Sequence, residues 1–149
     1  MTAHTGHEVE DLSAEECWRL LAAAPLGRLA TAVADPATGE LSLDVFPVNF
    51  LIHEDAIFFR TGPGSKLIEL TANDKVAFEV DGQAGHAEWS VVVHGRAHRL
   101  MMDRDIEESG VLDLDAVHPT DKWNYVRITV DSITGIRFSR RTSHDSRDR

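Results

Sequence analysis

Thr61, Ser65 and Lys66 are the side chains in this sequence best suited to holding an anion. They lie in FFRTGPGSKLIEL (58–70), where an apolar run ends at Arg60-Thr61, crosses Gly62-Pro63-Gly64 and restarts at Ser65-Lys66 with helical spacing. A strand that feeds a helix through glycines aims backbone N–H groups at whatever sits above the helix start. The hydroxyls of Thr61 and Ser65 would add donors and Lys66 a mobile positive charge. Arg60 offers a planar fork suited to phosphate oxygens. Successive strand residues face opposite sides, however, so Arg60 and Thr61 are not expected to reach one ligand, and Thr61 is preferred. Spacing alone leaves two readings open: an anion cradle, or a connector with a capping serine and a solvated lysine. It is not a nucleotide P-loop, because Lys66 follows Ser65 and precedes Leu67, and there is no GxGxxG fingerprint.

A second candidate is PVNF (47–50). A flavin needs a flat apolar slot with backbone groups at ring height. A strand interrupted by Pro47 and lined by Val48 and Phe50 could form that slot, with Trp89 and Ser90 closing it; taken alone, each of these also reads as ordinary packing. Other chemistries find less support. His94 and His98 are four apart, which on a strand separates them by about 13 Å, too far to share an ion. No dedicated metal site is expected, although a single axial haem histidine stays open. No GxSxG elbow is present, and Cys17, the sole cysteine, lies on an apolar helical stripe. The carboxylates Asp103, Asp105, Glu107 and Glu108 read as a solvated helix face.

The elements that must position these residues follow from pattern. Ser13 and Glu16 have capping-box spacing, and Cys17, Leu20, Leu21 and Ala24 repeat at helical intervals until Pro25 and Gly27. Strands are expected at 28–34, 41–52, 56–61, 75–81 and 88–100, and at NYVRITV and SITGIRF, the last two as a hairpin around Asp131-Ser132. Pro47 must lie at an edge, a bulge or a ligand-facing gap, and Gly95 at a bulge. Residues 82–87 read as a polar loop, and 103–109 as one or two helical turns. Short connections exclude parallel winding and favour a closed or nearly closed barrel. VFPVNFLI and WSVVV are apolar on both faces, which points to a second buried surface, most simply a homodimer interface.

Composition sets the bounds. The 149 residues suit one domain, and a formal net charge of −10 argues against a nucleic-acid surface. The start MTAHTGHEVEDL has no signal-peptide pattern, and no apolar run approaches a membrane span, so a cytoplasmic protein that does not meet the membrane is expected.

In order along the chain, LGRLATAV, VFPVNF, FFRTGPGSKLIEL, VAFEVD, EWSVVVHGRA and SITGIRF resemble the pyridoxamine 5'-phosphate oxidase-like, FMN-binding split-barrel family, in particular its short actinobacterial-type members. The resemblance implies a mainly β fold, a six-stranded split barrel with a few short helices, over residues 12–139. Residues 1–11 would be a flexible arm and 140–149 a disordered tail. It further implies a homodimer with FMN at the subunit interface and hydride transfer to or from a small organic substrate. Val45, Phe46, Pro47 and Val48 match the strand along the isoalloxazine ring, and Thr61, Ser65 and Lys66 the phosphate positions. Ser90 falls where the oxidases carry a glutamine near the flavin, with Trp89 beside it. Arg60 stands where they often have tyrosine. The oxidases also end in a tryptophan-bearing segment with an R-x-x-P-like motif, whereas this sequence ends FSRRTSHDSRDR, so oxidation of pyridoxamine phosphate is not implied. Relatives bind FAD, the deazaflavin cofactor or haem, and a non-catalytic flavin or haem sensor is the alternative. No catalytic residue is named, because the hydride chemistry belongs to the cofactor.

Overall fold

The computed structural model describes residues 7–62, 73–101, 106, 108, 109 and 124–140. Its strands are β1 (His7–Asp11), β2 (Gly27–Ala34), β3 (Leu41–Val48), β4 (Phe50–His53), β5 (Ala56–Thr61), β6 (Lys75–Ala84), β7 (Ala87–Arg99) and β8 (Asn124–Arg140), with helix α1 (Ala14–Ala23). All pairings are antiparallel, in the order β3-β2-β6-β7-β8-β5-β4, with β1 added on β8.

β3 and β4 lie at opposite ends of that order, yet only Asn49 separates them in the chain. One residue spans about 3.5 Å, so the sheet must roll until its two edges meet. Phe50 of β4 accordingly reaches across the interior to Phe78 of β6, edge to face at 4.9 Å between centroids. No ladder joins β3 to β4, and the result is a split β-barrel. The interior follows from two-residue alternation: Leu29, Phe78, Val93, Ile128 and Phe59 are fully buried on the inward rows of five successive strands. α1 plugs one end of the barrel with Cys17, Leu20 and Leu21. Ser13 caps the helix by accepting from the Glu16 N–H, and Glu16 ties it to β8 through Arg137 at 2.9 Å.

Several expectations need correction. Residues 7–11 are no loose arm: their backbone pairs with β8 from His7↔Arg140 to Asp11↔Ile136, which polar side chains do not prevent. The expected strand at 41–52 breaks at Asn49, because its two halves serve opposite sheet edges. The loop at 82–87 is a tight hairpin, since Gly85 takes φ +62° and reverses the chain within two residues. The hairpin at Asp131-Ser132 does not form either, and β8 runs through as one strand of 17 residues. There His94 pairs with Ser132 and Gly95 with Val130, so Asp131 is a bulge residue rather than a turn residue. The bulge at Gly95 stands as expected. A Cβ there would come within 2.2 Å of the Thr129 carbonyl oxygen. Pro47 lies on β3, the open edge. The count of strands thus rises to eight in the described residues, within the same fold class.

The outer face of β5 is also covered. Ala56 and Phe58 are buried beneath Leu51, Leu100, Ile106 and Tyr125, so the second apolar parity of AIFFRT is satisfied within this chain. On β3 it is not. Leu41, Leu43 and Val45 are 64%, 75% and 67% exposed. Among the described residues, no helix is long and apolar enough to cross a membrane.

Candidate functional site

The exposed residues of β3 make one stripe. Leu41, Leu43, Val45 and Pro47 alternate outward, while Phe46 and Val48 turn into the barrel, half-buried and buried. Their cross-strand neighbours on β2 are Ala34, Ala32, Ala30 and Arg28. Small alanines on the neighbouring strand leave the stripe standing proud, and the far edge of β3 meets no strand in the described residues. The surface is apolar, and the unpaired edge of β3 offers backbone donors and acceptors along one side.

The stripe ends in charge. Opposite Pro47, Arg28 donates to Asp81 at 2.7 Å and to Glu79 at 3.4 Å. Burial, aided by the Asp81 charge, raises the Glu79 pKa above its ordinary value, against the opposing pull of Arg28. Sequence reasoning missed this group. Its trace was there in Arg28, the one charged residue of β2, and in Glu79 and Asp81 at alternate positions of β6.

Thr61 ends β5 with its side chain inward, 7% exposed and opposite Asn124, itself 9% exposed. It lies two residues beyond the Phe50↔Phe59 pair, at the end of the barrel where Val48, Asn49 and Phe50 link the two edges. Thr61 and the Pro47–Val48 end of β3 are therefore brought to one region. Arg60 faces outward, opposite Tyr125, so Arg60 and Thr61 do point to opposite sides. Ser65 and Lys66 lie outside the described residues.

Trp89 and Ser90 sit elsewhere. Ser90 is outward and half-buried, paired with Asp81, while Trp89 is inward and lies against Gly82, where a Cβ would stand 2.4 Å from the indole. Ser90 shares its face with Val45 and Pro47, but β2 and β6 lie between. Three strand spacings amount to about 14 Å. Within one chain these residues do not converge with β3.

The thiol of Cys17 is buried, and desolvation raises its pKa above the ordinary value, so it is a packing residue rather than a nucleophile. Among the described residues, no three His, Cys, Asp or Glu side chains are placed to hold a metal.

The family pattern described as pyridoxamine 5'-phosphate oxidase matches residues 13–137. The chain belongs to this family. A candidate pyridoxamine 5'-phosphate oxidase from Corynebacterium glutamicum is 35% identical, with a TM-score of 0.75 over 89% of this chain and 99% of its own. An FAD-binding protein from Mycobacterium smegmatis is 36% identical, with a TM-score of 0.73 over 87% of this chain and 98% of its own. A second FAD-binding protein, from Mesorhizobium loti, is 26% identical at a TM-score of 0.71, covering 90% and 99%. An uncharacterized Mycobacterium tuberculosis protein is 34% identical over 88 residues, 59% of this chain and 80% of its own. The family pattern covers α1, β3 with its exposed stripe, and Thr61, so every described element of the candidate site lies inside it.

Proposed function

We propose that this protein binds a flavin against β3 and uses it to move hydride to or from a small organic substrate. The observation that carries the reading is the apolar stripe on the open edge of β3, exposed in a family with flavin-binding relatives. Val45, Phe46, Pro47 and Val48 would lie along the ring, and Thr61, with Ser65 and Lys66, would hold the phosphate. Arg60, on the other face of β5, is the least secure of the set. Because Trp89 and Ser90 lie some 14 Å across the sheet, they would serve a flavin held on β3 of a second copy, in a homodimer with the cofactor between subunits. The residues fit the group: β3 offers an exposed apolar surface with unladdered backbone groups beside it, and Thr61 a hydroxyl near its Pro47–Val48 end.

A bound flavin supplies a ring that takes up and returns a hydride, and the chain supplies position, exclusion of water and charge. Arg28, Glu79 and Asp81 set the field beside Pro47. FMN is the expected flavin on the strength of the phosphate-suited residues. FAD is the second reading, favoured by the two FAD-binding relatives.

The visible spectrum of the freshly purified protein, followed by fluorescence titration with FMN and FAD, tests the proposal. A flavin spectrum, or saturable quenching by either flavin, supports it, and the tighter ligand chooses between them. A colourless protein that quenches neither refutes it, and a Soret band would turn the reading to haem. Turnover with a reduced nicotinamide or deazaflavin donor separates an oxidoreductase from a flavin-binding sensor.

A further inference from the structure

Phe58 faces outward on β5, three residues and about 10 Å before Thr61 and on the opposite side of the sheet. Beside it opens a cavity of about 410 Å3, within the range of small-molecule sites. Phe58 and Leu100 are its apolar lining, and His53, Glu54, Glu108, Ser109 and Arg127 its polar lining. None of these is among the residues proposed to hold the flavin.

Arg127 is the group that gives the cavity its chemistry. Its guanidinium lies 5.9 Å above the centre of the Phe58 ring. No carboxylate of a described residue stands within ion-pair distance of it. A permanently charged fork, steadied over an aromatic ring and without an acid among the described residues, is suited to receive a planar anion. The rim narrows the choice. Glu54 at the rim is acidic and exposed, so a dianion such as phosphate meets repulsion that a single carboxylate largely escapes.

The β4–β5 turn is a second, independent observation. Glu54 and Asp55 both adopt positive φ, 48° and 58°. Two-residue turns of this kind favour Asn-Gly, which takes that conformation without strain. Here two acidic residues occupy it, of which Glu54 lines the cavity, and His53 Nε2 lies 3.9 Å from the Glu54 carboxylate. Strain kept at the rim of a cavity is a mark of use.

We propose that this cavity is a second small-molecule site, which binds a monocarboxylate with a compact apolar body, its carboxylate on Arg127 and its body on Phe58 and Leu100. Benzoate is the probe, with benzamide as its neutral isostere and inorganic phosphate as the dianion. In an NMR titration of the flavin-saturated protein, benzoate should saturably shift signals of Phe58, Leu100 and Arg127. Benzamide and phosphate should each bind at least tenfold more weakly. Arg127→Gln should weaken benzoate at least tenfold, and since Arg127 is exposed, the thermal midpoint should hold. The proposal is overturned if benzamide binds as well as benzoate, if phosphate binds as tightly, if Arg127→Gln leaves the affinity unchanged, or if no signal saturates. It is equally overturned if benzoate displaces flavin or shifts Val45 and Val48 instead, because the anion would then belong to the flavin site. If the protein binds no flavin, the same titration on the flavin-free protein still tests the cavity.

Discussion

Gly135→Ala, combined with Cys17→Ala, tests how tightly α1 is seated on the sheet. A Cβ at Gly135 would stand 2.7 Å from Cys17 Sγ, and 3.1 Å from both Leu12 Cδ1 and the Ser90 carbonyl oxygen. The sulfur would need to retreat by most of an ångström. It has little room, because the Leu12 N–H donates to the Gly135 carbonyl at 2.9 Å and Glu16 pairs with Arg137 two residues further on. Overpacking of this sort costs about 1–3 kcal/mol. At roughly 4 °C per kcal/mol for a chain of this size, Gly135→Ala should lower the midpoint by about 4–12 °C. Cys17→Ala alone removes one buried heavy atom and should cost about 1 kcal/mol. In the double variant the new methyl takes the space of the lost sulfur, so the loss should fall short of the sum by about 1 kcal/mol or more. Urea denaturation of the four proteins, followed by circular dichroism, gives the coupling. If the two losses add to within about 0.5 kcal/mol, the sulfur is not the obstacle and the account of the helix seat is wrong.

Replacing Glu54-Asp55 by Asn-Gly should stabilise the protein by about 1–2 kcal/mol through relief of the left-handed conformation; a lower thermal midpoint would show that the acidic pair makes contacts worth more than the strain. Glu16 has its pKa lowered from 4.5, by the Arg19 hydrogen bond first; burial opposes it, and the Arg137 hydrogen bond and the charges of both arginines add to the lowering. Its folded form binds protons less readily than its unfolded form, so its stabilisation is complete above pH 4.5 and is lost as pH falls through the lowered folded value. The Glu16→Gln variant should therefore show a shallower fall in midpoint on acidification, and curves that run parallel to wild type would contradict the assignment. Lys66→Ala should weaken flavin binding by about 1–3 kcal/mol, as for a lost charge-assisted hydrogen bond, with an unchanged far-ultraviolet spectrum; equal affinity in the fluorescence titration would remove Lys66 from the phosphate site.

Local pattern was enough where each residue answers to its own neighbours. Ser13 and Glu16 announced the start of α1, and the alternation in AIFFRT and KVAFEVD gave β5 and β6. It misled where the deciding partner is remote. Asp131-Ser132 carries turn residues, yet β7 holds both in one extended strand and absorbs the extra residue as a bulge. HEVED has too few apolar residues to look like a strand, and only the exposed backbone of β8 makes it one. The site divides in the same way. The opposite orientations of Arg60 and Thr61 follow from strand geometry alone. The wide separation of Ser90 from Pro47 depends on which strands come between them, and the Arg28–Asp81 contact joins residues 53 apart in sequence.

The single residue Asn49 also dictates the order in which this barrel can assemble. It tethers two hairpins, β2–β3 and β4–β5, whose inner strands β2 and β5 are the docking edges for β6 and β8. The second half of the chain, the meander β6–β7–β8, must then enter between them and pair on both sides. Neither hairpin can complete the roll alone, and the meander has no second edge to dock on until both are present. Folding should accordingly wait on long-range pairing, at rates typical of high-contact-order β proteins. Lengthening the link at Asn49 would loosen the clamp and slow that last step without removing any hydrogen bond from the finished ladder.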